Sequence, residues 1–435
     1  MTFQQGLSGL NAATKNIDVI GNNVSNANTV GFKGSKAQFA DLFANALYGG
    51  GSNNVGIGAT VNTVSQAFVQ GSITATQNPL DISINGNGFF RVSNSANGGG
   101  ISYTRNGQFR LDKDAYIVNA KGDRLTGYPV TATGSTVNAS APVDLQINTA
   151  DIDPKTTTET AIGLNLDSNK AVIDPTVYPF NPSDTRTYNN ATSMSVYDTL
   201  GNAHTVSMYM IKRAANTWEV QTTVDGVRTS GQVDATGAPL ITPPATVPAP
   251  AGQLVFSSNG RLDTTTAAPN NTTFPVNNFQ YTVGTGAAKL DFKLDFPKTT
   301  QFGSAFGVNT LTQDGYSSGR LIGFSVGGDG SIVGKYSNGQ TRTQGQVVLS
   351  NFTNPNGLQS LGNNNWAQTL DSGQPLTSAP GSGSLGVLQS NAVEESNVDL
   401  TKELVTMITA QRVYQANAQT IKTQDSLLNT LVNLR

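Results

Sequence analysis

The chain has 435 residues with 46 Gly, 18 Pro, no Cys and one His, a length that suggests roughly two to four domains rather than one globule. Its apolar content excludes wholesale disorder, while charged residues make up only 12%, and Ser, Thr, Asn and Gln fill about a third of the chain in their place. With 26 basic against 28 acidic residues and no basic block, nothing drives counterion release, so nucleic acid is not an expected partner.

The first element is a helix. Phe3, Leu10, Ile17 and Val24 recur every seventh position, with Gly6, Ala13 and Ile20 three places after the first three. This is a narrow heptad stripe whose small residues let another helix approach closely. Asn22-Asn23-Val24-Ser25-Asn26 then offers side chains that compete for backbone bonds, and Gly31 follows, so the helix should stop near Asn26.

The middle reads as strand and turn. Seven Asn-Gly dipeptides punctuate it, at Asn85, Asn87, Asn97, Asn106, Asn259, Asn338 and Asn356, and Asn-Gly suits the type I′ turn of a hairpin. Tyr103-Thr104-Arg105 and Gln108-Phe109-Arg110-Leu111 are expected to pair across Asn106-Gly107, and Ser331 to Tyr336 to turn back at Asn338-Gly339. Between about Ile147 and Asp314 the composition shifts to Thr-rich segments and a Pro-rich run from Thr242 to Pro250, interleaved with strand-like Ser193–Tyr197 and Thr205–Tyr209, which reads as a separate all-β insert.

The last element is a longer helix. Leu400, Met407, Tyr414, Ile421 and Leu428 repeat every seventh residue, Leu404, Ala418 and Val432 fill alternate positions, and no Gly or Pro follows Gly386. Ser396 with Asp399 three later fits a capping box variant, and a helix from Asp399 to Val432 runs on the order of 50 Å. The order helix, β, inserted β, β, helix gives a multidomain α+β fold whose long terminal helices pair as a coiled-coil-like layer. Its expected domains are 1–70 with 393–435 (inner helical), 71–146 with 315–392 (discontinuous β), and 147–314 (inserted outer β).

Catalytic chemistry has little to stand on. Without Cys there are no disulfides, thiol nucleophiles or thiolate metal sites, and one His excludes HExxH chemistry. Gly381-Ser382-Gly383-Ser384-Leu385-Gly386 matches GxGxxG but lacks the strand before it and the helix after it, so a linker is the better reading. Asp112, Asp114 and Asp123 have Ca²⁺-loop spacing, yet Ile117 stands where the turn glycine belongs, and a β-turn explains them. His204 follows a turn with no acid or nucleophile assigned to it. No cofactor, metal or catalytic residue is expected, and the chain is not read as an enzyme. No apolar run reaches membrane-span length, and the N-terminus has no recognisable cleavable signal, so membrane insertion is not expected.

The stripes carry the functional expectation. Two helices bury a single seam, and the C-terminal stripe offers more apolar length than the N-terminal one can cover. The residues expected to meet neighbouring subunits are Phe3, Leu10, Ile17, Val24, Leu400, Leu404, Met407, Tyr414, Ile421 and Leu428.

Taken together, these segments resemble the axial-protein family of the bacterial flagellum, its rod and hook proteins. The resemblance rests on Gly9-Leu10-Asn11, Ile20 to Asn26 and Thr29-Val30-Gly31-Phe32-Lys33 at one end. At the other it rests on Glu395 to Leu400, Glu403-Leu404, Met407-Ile408 and Gln411 to Asn417. Leu80 to Ile84, Gly88-Phe89-Phe90, Tyr103 to Gly107, Asn351-Phe352, Gly357-Leu358 and Trp366 extend it inward. The long insert points to the hook branch. The resemblance implies a subunit that self-assembles into a short curved tube and passes motor torque as a universal joint, outside the cell, after type III export without a cleaved leader. The partners it implies are further copies of the chain, the distal rod protein, the hook cap protein and the hook-filament junction protein. The rival is a secreted β-rich adhesin or glycan-binding fibre, suggested by the Asn/Thr-rich insert with Tyr197, Tyr209 and Trp218.

Overall fold

The computed structural model describes residues 2–42, 58–94, 99–131, 137, 141–229, 252–263, 276–281 and 286–433. The chain is mostly β, with one helix at each end, and divides into two compact units. The first holds residues 1–149, 322–335 and 341–435, the second 150–321 and 336–340. The Pro-rich run from Thr242 to Pro250 and the Asn97-Gly98 dipeptide lie outside the described residues.

In the first unit, helix α1 spans Thr2–Ser25 and helix α2 Leu400–Asn433. Helix α1 ends where its asparagines capture the backbone: Asn26 Nδ2 donates to the Asn22 carbonyl at 2.9 Å. The cap of α2 sits later than the spacing suggests. Asp399 itself accepts from Lys402 N at 3.1 Å, whereas the Ser396 hydroxyl turns to Val398 N. Helices α1 and α2 run antiparallel, because Gly6 faces Ile421 and Gly9 faces Asn417. Beside α1 lies a hairpin of strands Ser35–Leu42 and Gly58–Gln66.

The body of this unit is an antiparallel sheet in which strand Phe89–Ser93 is central, pairing with Ile101–Thr104, Arg124–Pro129 and Leu349–Asn351. Its core packs Phe89, Tyr103, Phe352 and Trp366 edge to face, with Phe68 and Leu358 against them. Two short pairings bring the C-terminal approach back onto the N-terminal part: Val387–Ser390 with Ile82–Asn85, and Ala392–Glu394 with Ile73–Ala75.

The second unit packs two sheets face to face. One sheet contains Glu159–Asp167, Leu290–Asp295, Thr300–Phe302 and Gly307–Gln313, the other Asn190–Tyr197, Ala203–Ala214, Thr217–Val224 and Gly252–Val255. Alternate residues point inward, so Leu290, Phe292 and Leu294 meet Val206, Met208, Met210 and Trp218 in one core.

The turns differ from the sequence expectation in an informative way. A hairpin forms at Asn338-Gly339, but only Gly339 has positive φ (+78°), and Gly339 N donates to Tyr336 O at 3.0 Å, a type I turn followed by a left-handed glycine. The expected hairpin across Asn106-Gly107 does not form. Arg110–Leu111 pairs with Ile117–Val118, and Ile101–Thr104 pairs with Phe89–Ser93 and Asn365–Ala367. Gly107 is needed there for clearance, since a Cβ on it would lie 1.6 Å from Ile82 O. Type I′ geometry occurs instead at Asp225-Gly226 (φ +50°, +79°) and Asn363-Asn364 (φ +52°, +55°).

Candidate assembly surface

The helical seam is built by small residues. On α1 the buried positions are Gly6, Ala13, Ile20 and Asn23, the first three being the second row of the heptad, in which Gly6 and Ala13 are the small residues. The larger row, Leu10, Ile17 and Val24, is half-buried, and the Phe3 side chain lies outside the described residues. On α2, Ala410 is buried, and Met407, Asn417, Ala418 and Ile421 are half-buried. Closely approaching backbones leave the larger side chains flanking the contact rather than filling it.

Of the ten residues expected to meet neighbours, four therefore project from α2: Leu400, Leu404, Tyr414 and Leu428, with Leu404 43% and Leu428 55% exposed. Val405, Ile408, Val413 and Leu427 join them, which the seven-residue count alone does not single out. Helix α1 is 24 residues long and α2 34, so α1 is too short to cover α2 along its whole length.

The connections at the base of the pair are closely tied. Asn23 and Ser35 exchange two hydrogen bonds of 2.8 Å, Gly34 N donates to Asn397 Oδ1 at 2.8 Å, and Gly31 N donates to Glu394 O at 2.8 Å. Gly31 has φ +71°, and a Cβ there would stand 2.6 Å from Asn106 N. The segments around Lys33, Arg105 and Asn397, far apart in sequence, thus converge.

The other candidates resolve as structural features. Asp112 Oδ1 accepts from Asp114 N and Tyr116 N, the turn expected of it, and Asp123 binds Asn119 and Asn365. The glycines of 381–386 form turns leading into strand Val387–Ser390, not a helix. His204 does have acids beside it: Nδ1 lies 2.7 Å from Asp225 Oδ2 and Nε2 3.3 Å from Asp198 Oδ2, so the imidazole joins two adjacent turns of one sheet. Among the described residues no group of three His, Asp or Glu side chains is placed to hold a metal ion, and no helix is long and apolar enough to cross a membrane.

Four family descriptions match the chain in order and define an axial protein of the bacterial flagellum. They are "Flagella basal body rod protein" over residues 3–33, "Flagellar hook protein FlgE/F/G D1 domain" over 83–165, "Flagellar basal body protein FlaE D2 domain" over 165–316, and "Flagellar basal body rod FlgEFG protein C-terminal" over 389–434. The flagellar hook proteins FlgE of Escherichia coli (strain K12) and Salmonella typhimurium are each 43% identical over 437 residues, with 100% of both chains covered. The crystal structure of Helicobacter pylori flagellar hook protein FlgE2 shares the fold at 14% identity, with a TM-score of 0.50, over 74% of this chain and 100% of that one. The chain belongs to the flagellar hook protein FlgE family.

Proposed function

We propose that the chain builds the flagellar hook by laying the uncovered side of α2 against the helices of neighbouring copies. The observation that carries this mechanism is the row of exposed apolar side chains on a helix longer than its partner, Leu404, Ile408 and Leu428 among them. Contacts of this kind repeat without closing, and repetition without closure makes a helical tube. In this reading the terminal helices, with residues 1–70 and 393–435, pair as the inner, coiled-coil-like layer. The β domains at 71–146 with 315–392 and at 147–314 form layers outside it, the second inserted in the first.

The outer domains suit a curved, rotating tube because water bridges shifting Asn, Gln, Ser and Thr contacts at low cost, where fixed ion pairs would resist sliding. Further copies of the chain are the main partners in this reading, and the distal rod, hook cap and hook-filament junction proteins are its neighbours at the ends. Export through the flagellar type III route accompanies it. The adhesin alternative has lost its ground, since most of the 147–314 insert that suggested it falls within residues 165–316, which match a flagellar domain family.

The mechanism is tested with Leu404→Asp and Leu428→Asp in the full chain. Each adds a charge to a side chain that is exposed in the single chain, so helicity and solubility should be kept while tubes vanish from electron micrographs. Tubes in normal yield from both variants would remove α2 from the contact.

A further inference from the structure

Three segments far apart in sequence meet on one carboxylate. The Lys33 ammonium lies 2.6 Å from Glu394 Oε1 and Arg105 Nη1 lies 3.2 Å from Oε2, with the Lys33 and Glu394 side chains 0% and the Arg105 side chain 3% exposed. Gly71 N donates to the same Oε1 at 2.9 Å. Lys33 Nζ also donates to Val69 O at 2.8 Å, and Arg105 Nη2 to Gly86 O at 2.9 Å, with the guanidinium 5.4 Å from the centre of the Phe89 ring. Arg105 Nε is buried without an acceptor.

As a source of cohesion this cluster is poor. Two cations on one anion leave a net positive charge inside the protein, and even a balanced buried pair is often no better than well-packed apolar residues. Burial pushes the proton affinity of both Lys33 and Arg105 down, and Glu394 opposes that in each case. Both cations therefore depend on the same carboxylate.

Its place in the chain is more informative than its energy. Lys33 follows α1 and Glu394 precedes α2, while Arg105 belongs to the β body. The neutral ties between Asn23 and Ser35 and between Gly34 and Asn397 lie close by. Asn397 Nδ2 also donates to Ala67 O at 2.6 Å and to Val69 O at 3.0 Å, so the Lys33 ammonium and the Asn397 amide share the Val69 carbonyl. A displacement of Glu394 would move the start of α2 relative to the end of α1 and to the body together.

We propose that Glu394 is a positioning residue for assembly: by drawing Lys33, Arg105 and Gly71 onto one carboxylate it fixes the register of α1 on α2 and ties the helical pair to the β body. The proposal rests on the reading of the helical pair as the assembly element and names the residue that sets it. The expected behaviour is asymmetric. Glu394→Gln strands two buried cations, whereas Lys33→Met leaves a one-to-one pair of Arg105 and Glu394.

The absence of Cys supplies a clean reporter of register. A Cβ built on Gly9 lies 3.0 Å from Asn417 Cγ, so a Gly9→Cys, Asn417→Cys pair is placed to form a disulfide across the seam. In the dilute, monomeric full chain with oxidised glutathione, adding Glu394→Gln should slow cross-linking by about tenfold or more, and adding Lys33→Met by no more than about twofold. Glu394→Asp, which keeps the charge on a shorter arm, should fall between. Hydrogen exchange in the strands of both units should stay as in the parent throughout.

Parental cross-linking in Glu394→Gln overturns the proposal, and so does equal slowing by Lys33→Met. Loss of strand protection in Glu394→Gln overturns it as well, because the cluster would then be part of the general core. The cross-link is read inside a single chain, so these outcomes stand apart from the fate of the tubes in the Leu404 and Leu428 variants.

Discussion

Gly6 of α1 stands so close to Ile421 of α2 that a β-carbon on Gly6 falls 3.0 Å from Ile421 Cγ1. The seam depends on that missing side chain, and alanine and leucine test it differently. Alanine gains ~1 kcal/mol of helix propensity against a contact that the flexible Ile421 can relieve, so Gly6→Ala should change stability little. Gly6→Leu overpacks the seam and should cost ~1–3 kcal/mol in the helical part, read by far-ultraviolet circular dichroism on heating. A leucine variant as stable as the parent would show that the helices do not approach this closely.

The two kinds of apolar position on α2 should separate in the same measurement. Met407 and Ile421 are half-buried within the chain, whereas Leu404 is exposed. Met407→Asp and Ile421→Asp should abolish tubes and also lower the stability of the single chain by ~2 kcal/mol, since the carboxylate is partly desolvated. Leu404→Asp should abolish tubes alone. If Ile421→Asp leaves the monomer as stable as the parent, α1 does not cover that position in solution.

The terminal helices were the legible part of the sequence, because a seven-residue period over a segment free of Pro needs no knowledge of the rest of the fold. Which row faces inward was less legible. The larger residues mark the stripe, but the small row of Gly6 and Ala13 is buried, since close backbone approach rewards the absence of a side chain. Asn-Gly marked turns without fixing their type, as Asn338 keeps a negative φ and the type I′ positions fall at Asp225-Gly226 and Asn363-Asn364. Glu394 carried no local signal: it stands beside Glu395 with the same charge, and its partner Lys33 is 361 positions away. The acid facing His204 Nδ1 was hidden for a related reason, since Asp225 reaches it from the next hairpin.

Each unit holds one tryptophan, which allows the two to be followed separately: Trp366 in the first and Trp218 in the second. Trp366 is buried in the aromatic cluster, and its Nε1 donates to Gln66 Oε1 at 2.6 Å. Trp366→Ala should cost ~3–5 kcal/mol in the first unit, by loss of packing and an unfilled cavity. In denaturant, Trp218 fluorescence should report an unchanged transition for the second unit. A shift of both transitions by the same amount would mean that the units unfold as one.

His204 makes the second unit sensitive to pH. Burial alone would lower its proton affinity, but Asp225 and Asp198 override that and hold it above the ordinary 6.5. Burial also works against ionised Asp198, yet donors from Asn202, His204 and the Leu200 amide bring it down to about 2 from 3.8. A raised His pKa contributes stability that is fully present below the unfolded value of 6.5 and is lost as pH rises through the folded one. The depressed Asp198 contributes stability that is present above 3.8 and lost as pH falls toward about 2. The two windows overlap between about pH 4 and pH 6.5, where the second unit should be most stable. Its melting temperature should fall on going to alkaline pH, and His204→Gln should remove that slope. The chain has one His, so its imidazole resonances can be titrated without overlap from another, and a midpoint at or below 6.5 would refute the assignment.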